Sequence, residues 1–473
     1  MDNSLIREKA LKVNLQPDCY GSFAEIGAGQ EVVRWFFQAG GAAGTVSKSI
    51  SAYDMKVSDS LYGECTRYVC KERLLSMLDA EQSQNEQILS EQRGQSSCFF
   101  TFADTVSAIN YQKTNECHGW MGVRFQTSPG AENSTLAIHV RMLDRENGDQ
   151  QEALGVVGVN LIYGVFFLRD QPEKLIESLL DGLSTNRIEI DVVEFSGLAF
   201  KDVDNRVMSL QLVRLGLTGV AMFDATGTVL QPSEALRKRP ILIERGRFRP
   251  FTNVNLDMLS SGLREFETIA DVKPDETLPI MEITMSNLQQ SSEGEVCLED
   301  FISRAEVLET LGYTVMISNF FEYYRLASYL FRLTDRPVGI ALGVGALQNL
   351  FDERYYDELD GGILESFGRL FKEQLKLLVY PWRDDESGQI LTAHNMEVHP
   401  DLSRLLEFLK ARQSIMPIED ITHAYLEIHS EDVLRRIASG DRDWISMVPE
   451  GVAEAIQERN LFGFRGFGES NVA

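Results

Sequence analysis

Three short segments gather side chains able to hold an anion and move protons: WMGVRFQT (120–127), LAIHVRML (136–143) and RIEIDVVEF (187–195). Residues two apart in a strand share a face. Trp120, Arg124 and Gln126 therefore point one way in the first segment, His139 and Arg141 in the second, Glu189 and Asp191 in the third. If the strands are neighbours, one sheet face collects two arginines, a histidine and two carboxylates, with Glu116 and His118 at its entrance in NECHGW. Arg124, Arg141 and Gln126 would bind an anionic substrate there. His139 or His118 would exchange protons against Glu189 or Asp191. A solvated sheet face is the plainer alternative, although such faces favour Lys, Thr and Glu over His, Arg, Trp and Gln. A metal reading would take His118, His139 and one carboxylate as ligands, but the spacing matches no metal motif, so metal and cofactor stay unassigned. Cys117 and His118 are adjacent in a strand and point to opposite faces, which argues against a nucleophile pair.

A second group of candidates lies further along the chain. VAMFDATGTVL places Asp224 in a loop similar to the Asp-x-(Asp/Thr)-Gly-Thr of haloacid-dehalogenase-type phosphotransferases. There the first aspartate attacks phosphorus beside Mg²⁺, and Ser318 of TVMISN would be the second-motif serine. A turn around Gly227 explains the same letters, and Asp384-Asp385 read as a loop after YPW. GIALGVGALQNLF puts Gly343 and Gly345 between a strand and a helix, where backbone N–H groups can meet a phosphate or carboxylate. Asn287, Ser318 and Asn319 fall at strand C-terminal ends, where α/β folds collect ligands.

Two glycine clusters invite a nucleotide reading and do not sustain it. A Walker loop needs glycine at its first position and immediately before Lys-Ser; here those positions hold Ala42 and Ser47, ahead of Lys48-Ser49. Gly27-Ala28-Gly29 lacks the third small residue of a dinucleotide fingerprint, since position 32 is Val. Val32, Val33, Phe36 and Phe37 instead recur at helical spacing, so that Gly40-Gly41 reads as a helix stop.

The elements that must position these residues form an α/β pattern. Residues 1–130 read as an N-terminal α+β region with strands FFTFAD (99–104) and WMGVRFQT. Residues 131–385 alternate strand-like runs, from LAIHVRML through PILIERG, PIMEITMS, YTVMISN and VGIALG to KLLVYPW, with segments of helical period. About eight βα units with a parallel sheet are predicted, TIM-barrel-like or an open doubly wound sheet. Residues 386–473 read as a helical C-terminal extension.

Composition bounds the function class. A formal charge of −26 without a basic run argues against nucleic acid and anionic membrane surfaces. Six scattered cysteines without a CxxC pair fit a reduced, cytoplasmic compartment, and the first residues lack a secretory pattern. The apolar run ALGVVGVNLIYGVFFL (153–168) is too short for a bilayer and carries Asn160, so a buried helix is predicted.

The segments FAEIGAGQEV, AGGAAGTVSKSISAYD, NECHGWMGVRFQ, HVRMLD, GVNLIYG, LQPSEAL and GGILESFGRLFK together resemble a bacterial family with no assigned reaction. The resemblance covers most of the chain, from about residue 13 to 464. Its members carry the labels nicotinate-nucleotide adenylyltransferase or TonB-dependent receptor. The second label implies an outer-membrane barrel of about twenty-two alternating strands, which the pattern does not contain. The first implies a His-x-Gly-His turn, and none of the six histidines has that spacing. The expectation is therefore a cytoplasmic enzyme acting on a small anionic molecule, phosphorylated or nucleotide-like. The alternatives are a non-catalytic binding or scaffold protein, adenylyltransferase-like nucleotidyl transfer, or Mg-dependent phosphotransfer through Asp224. No nucleic-acid or membrane partner is expected, and a homo-oligomer stays open.

Overall fold

The computed structural model describes residues 3–27, 29–289, 296–384 and 387–467. The chain divides into two compact α/β units, Met1–Ala221 and Met222–Ala473.

The first unit is built on six strands: β1 (Cys19–Ile26), β2 (Val46–Ile50), β3 (Cys98–Ser107), β4 (His118–Phe125), β5 (Ser134–Met142) and β6 (Ile188–Ser196). Their order is β2-β1-β3-β4-β5-β6. β1 runs parallel to β2 and β3, whereas β3 through β6 form an antiparallel run. Here the structure departs from the expected parallel series, because LAIHVRML and RIEIDVVEF are β5 and β6 of this mixed sheet and not its first βα units. Their alternation of charged and apolar residues is what an antiparallel strand with two different faces requires.

One face of this sheet is apolar. Phe23, Phe100, Phe102 and Phe125 pack there with Phe36 and with the helix Asn147–Phe167, which carries the long apolar run. That helix is buried, as expected, and Asn160 within it is satisfied: it accepts from Lys9 and donates to the carbonyls of Leu179 and Asp181. No helix among the described residues is long and apolar enough to cross a membrane. The opposite face lies under the helix Lys71–Arg93. Gly122 lets it settle, since a Cβ there would stand 3.1 Å from Leu78 and 3.2 Å from Leu74.

The second glycine cluster takes the conformation of a helix stop. Helix Glu31–Ala39 ends at Gly40 (φ 87°), followed by Gly41 in the left-handed region and the short turn Ala42–Gly44, and Lys48 then lies inside β2 and not at the start of a helix, as a phosphate loop would require. Ala28 lies outside the described residues.

The second unit contains β7 (Val220–Phe223), β8 (Val229–Leu230), β9 (Ile241–Arg245), β10 (Leu278–Thr284), β11 (Thr314–Ser318), β12 (Val338–Gly343), β13 (Leu375–Tyr380), the short ribbon β14 (Trp382–Arg383) with β15 (Ile390–Leu391), and β16 (Ile415–Pro417). The large sheet runs β16-β13-β12-β9-β10-β11-β7-β8. From β11 through β16 every neighbouring pair is parallel, and β7 and β8 form an antiparallel hairpin at the edge. Taking β9, β10, β11, β12, β13 and β16 as first to sixth, the order is 3-2-1-4-5-6, that of a doubly wound sheet. Of the two architectures expected, the open sheet is present. It does not stop near residue 385: the helix Ser403–Ala411 and β16 continue it before the helices Ser430–Ser439 and Glu450–Arg459. The break between units falls at Ala221, within β7, and not near residue 130.

Candidate functional site

The first unit assembles the proposed sheet face, with its charges already matched. Cross-strand pairing sets His118 opposite Arg141 and Trp120 opposite His139, while Arg141 faces Glu189 on β6. Asp191 is the extra residue of a β-bulge, because His139 pairs with Val192 and Val140 with Ile190. The bulge turns its carboxylate onto His139. His139 Nδ1 lies 2.5 Å from Asp191 Oδ1, and His139 Nε2 lies 3.0 Å from His118 Nδ1. His139 and Asp191 are buried, while His118 is half-buried. Burial, joined by His139 and the Arg67 guanidinium, pushes the His118 imidazole down to about 4.

The residues expected to bind substrate are engaged elsewhere. Arg124 donates to Asp79 at 2.6 Å and to Thr135 at 3.2 Å. Arg141 donates to Glu189 at 2.7 Å, and Glu189 also accepts from Thr218. Gln126 closes a strand end: its carbonyl oxygen accepts the Phe99 N–H at 3.0 Å, and its amide donates to Glu86. The metal reading has no support, since no group of three His, Cys, Asp or Glu among the described residues could hold an ion. In the second unit Asp224 Oδ1 accepts from the Thr226 N–H and hydroxyl and from the Thr228 N–H, so the loop is a turn bound by its own aspartate, with Gly227 at φ 76°. Ser318 is buried and donates to Glu282. Asp385 lies outside the described residues.

An open cavity of about 340 Å³ lies at the carboxyl ends of the central strands of the second sheet. Arg245 closes β9, Thr284 closes β10, Phe321 and Tyr323 follow β11, and Ala346 and Asn349 follow β12. The strand order reverses between β9 and β12, and doubly wound folds hold their ligands in the crevice outside the carboxyl ends at that point. Arg245 is clamped by both Glu282 oxygens, at 2.8 and 3.0 Å, lies over the Tyr323 ring at 4.2 Å, and donates to the Phe321 carbonyl. Burial opposes its charge, and Glu282 and Tyr323 outweigh that, raising its pKa above the ordinary value. Arg247, two residues on, is largely exposed and 3.6 Å from Glu431. The rings of Phe321 and Tyr355 stand 5.6 Å apart and form an aromatic wall.

Of the residues placed at strand ends from the sequence, Asn287 lines this cavity, with its amide 3.4 Å from the Gly246 carbonyl oxygen. Gly343 precedes the helix Val344–Leu350, and a Cβ at Gly343 or Gly345 would meet nothing within 4 Å. Asn319 is exposed and stands outside the cavity lining. The sequence reading missed Arg245, Glu282 and Tyr323. The available signal was a charged residue closing or interrupting an apolar strand, Glu-Arg-Gly at the end of PILIERG and Glu282 inside PIMEITMS. Glu244, beside Arg245 on the opposite face of β9, is fully buried. One of its oxygens accepts from Asn255 at 2.7 Å, the other has no partner, and burial pushes the carboxyl up to about 8.

No family model and no curated protein matches the chain. Among solved structures it is similar in part to the competence/damage-inducible protein CihA from Agrobacterium tumefaciens, at 14% identity over 34% of this chain and 95% of that one, with a TM-score of 0.26. A competence or damage-inducible protein from Enterobacter asburiae shares 10% over 34% and 97%, with a TM-score of 0.25. A competence-damaged protein (CinA) superfamily protein from Escherichia coli shares 12% over 36% and 93%, with a TM-score of 0.26. These three carry neither label of the sequence resemblance. Scores this low carry no argument about activity.

Proposed function

We propose that this chain is a cytoplasmic enzyme acting on a small anionic molecule, phosphorylated or nucleotide-like, held in the cavity of the second unit. The observation that carries the reading is the cavity's position at the topological switch point of a doubly wound sheet, with an arginine at its mouth and rings along its wall. Arg247 supplies a guanidinium to an anionic group. Phe321 and Tyr355 supply a stacking surface for a planar base or ring. Arg245, already clamped by Glu282, holds the shape of the floor. The compartment rests on the acidic composition and on six free cysteines.

Native mass spectrometry of the protein purified from its source tests the reading, followed by calorimetric titration with AMP and ATP as probes. A retained anionic metabolite, or probe binding lost in Arg247→Ala with the melting temperature intact, is the expected result. Absence of any bound mass together with no binding of either nucleotide sinks it, and favours the scaffold alternative. One observation already speaks for that alternative in the first unit, where Arg124 and Arg141 are neutralised by Asp79 and Glu189.

A further inference from the structure

We propose that Asp191, His139 and His118 form a proton relay in the first unit, independent of the cavity in the second, whose open end, His118 Nε2, accepts a proton from the O–H or N–H of a small polar molecule.

Hydrogen-bond roles along the chain fix one another. As a carboxylate, Asp191 only accepts, so His139 carries its hydrogen on Nδ1. Its Nε2 is then a bare acceptor, and the hydrogen between the rings belongs to His118 Nδ1. His118 Nε2 is left with a lone pair. Among the described residues that atom has no hydrogen-bond partner, and His118 is half-buried, whereas the two groups behind it are buried. The chain thus runs from a buried carboxylate to a half-buried imidazole, with the Trp120 ring 5.1 Å from that of His139 as a wall. A loose surface pair would not be built this way: the carboxylate arrives through a bulge, and bulges re-aim side chains beside active sites.

The charges facing His118 come from every neighbouring element. Glu116 precedes it, Arg67 stands in the loop before the helix Lys71–Arg93, His139 and Arg141 lie on β5, and Asp191 and Glu189 on β6. Arg141 is bound to Glu189, which leaves Asp191 to stabilise the imidazolium that forms when Nε2 takes a proton. His118 would be the catalytic base, and His139 and Asp191 positioning residues.

Hydrolysis of p-nitrophenyl acetate is the probe. His118 Nε2 takes a proton from water as the water oxygen bonds to the acetyl carbon, the bond to p-nitrophenolate breaks, and the imidazolium gives its proton to the phenolate, giving acetic acid and p-nitrophenol. His118→Gln should lower the rate at least tenfold, within the span general-base catalysis contributes. The wild-type rate should stay level from pH 8 to about 5 and fall only as His118 protonates near 4, unlike that of an ordinary imidazole. Because Asp191→Asn could disturb the buried bulge, a second measurement uses the unaltered protein: nitrogen-15 NMR should show His118 with hydrogen on Nδ1 and a bare Nε2. A His118→Gln rate equal to wild type, or hydrogen found on Nε2, overturns the proposal.

Discussion

The two sheets of this chain handle the same problem, charged side chains on strands, in opposite ways. On the antiparallel strands β4, β5 and β6 the polar side chains pair sideways from strand to strand, His118 with His139, His139 with Asp191, Arg141 with Glu189. On the parallel strands β9 and β10 they gather towards the carboxyl end, where Arg245 and Glu282 meet beneath a cavity. The difference follows from topology. An antiparallel neighbour can present a cross-strand partner at any register, whereas a parallel sheet is covered on both faces and opens only at its strand ends. The cross-strand cluster is therefore largely satisfied within the sheet, with His118 Nε2 as its open end, and the strand-end cluster faces a cavity.

The largest expected effect tests how deeply the strand-end pair is built in. Arg245 and Glu282 are both buried, and Glu282 also accepts from Ser318. Glu282→Ala leaves a guanidinium uncompensated in the interior and should cost about 3–5 kcal/mol, read from the denaturant midpoint. A loss under about 1 kcal/mol would mean that water or another group replaces the carboxylate. The cross-strand counterpart, Arg141→Ala, should cost less, about 1.5–3 kcal/mol, the range for a hydrogen bond to a charged group, since Glu189 keeps Thr218 and both side chains reach solvent. If the two losses were equal, the contrast between the sheets would fail.

A titration separates the second sheet further. Glu244 titrates near 8 in the folded chain and about 4.3 unfolded, so its contribution to stability is fully present below about pH 4 and is lost as pH rises through 8. Glu25, pushed up to about 7 by burial, adds the same sign in the first unit. Glu244→Gln should therefore flatten the fall of melting temperature between pH 6 and 9. An unchanged slope would assign that pH dependence to Glu25 or to other groups.

How much of this was legible in the letters depended on range. The two-residue period of LAIHVRML announces that His139 shares a face with Arg141, and across the sheet the two stand opposite Trp120 and His118. The bulge at Asp191 and the carboxylates that close off Arg124 and Arg141 depend on register and on a distant helix, which one strand's pattern does not encode. Asn287 was placed at a strand end and lines the cavity, because parallel strands declare their carboxyl ends by the turn that follows. Arg245 and Glu282 escaped notice because each is a single charge in an apolar run, and only the 3-2-1-4-5-6 order reveals that their strands flank the switch point.

The smallest expected effect concerns the glycine stop, where local sequence alone was sufficient. Gly41 lies at φ 77°, ψ 1°, and a Cβ there would come no nearer than 3.6 Å to Asn14, an ordinary contact. Gly41→Ala therefore adds little crowding and should cost only the left-handed backbone penalty, about 1 kcal/mol. Chemical denaturation at constant slope measures it. The same variant should leave any nucleotide affinity unchanged, since the cluster leads through the single short turn Ala42–Gly44 straight into β2, with Lys48 inside that strand. If ATP binding fell while stability held, the turn would be touching phosphate and the division of labour between the two sheets would have to be redrawn.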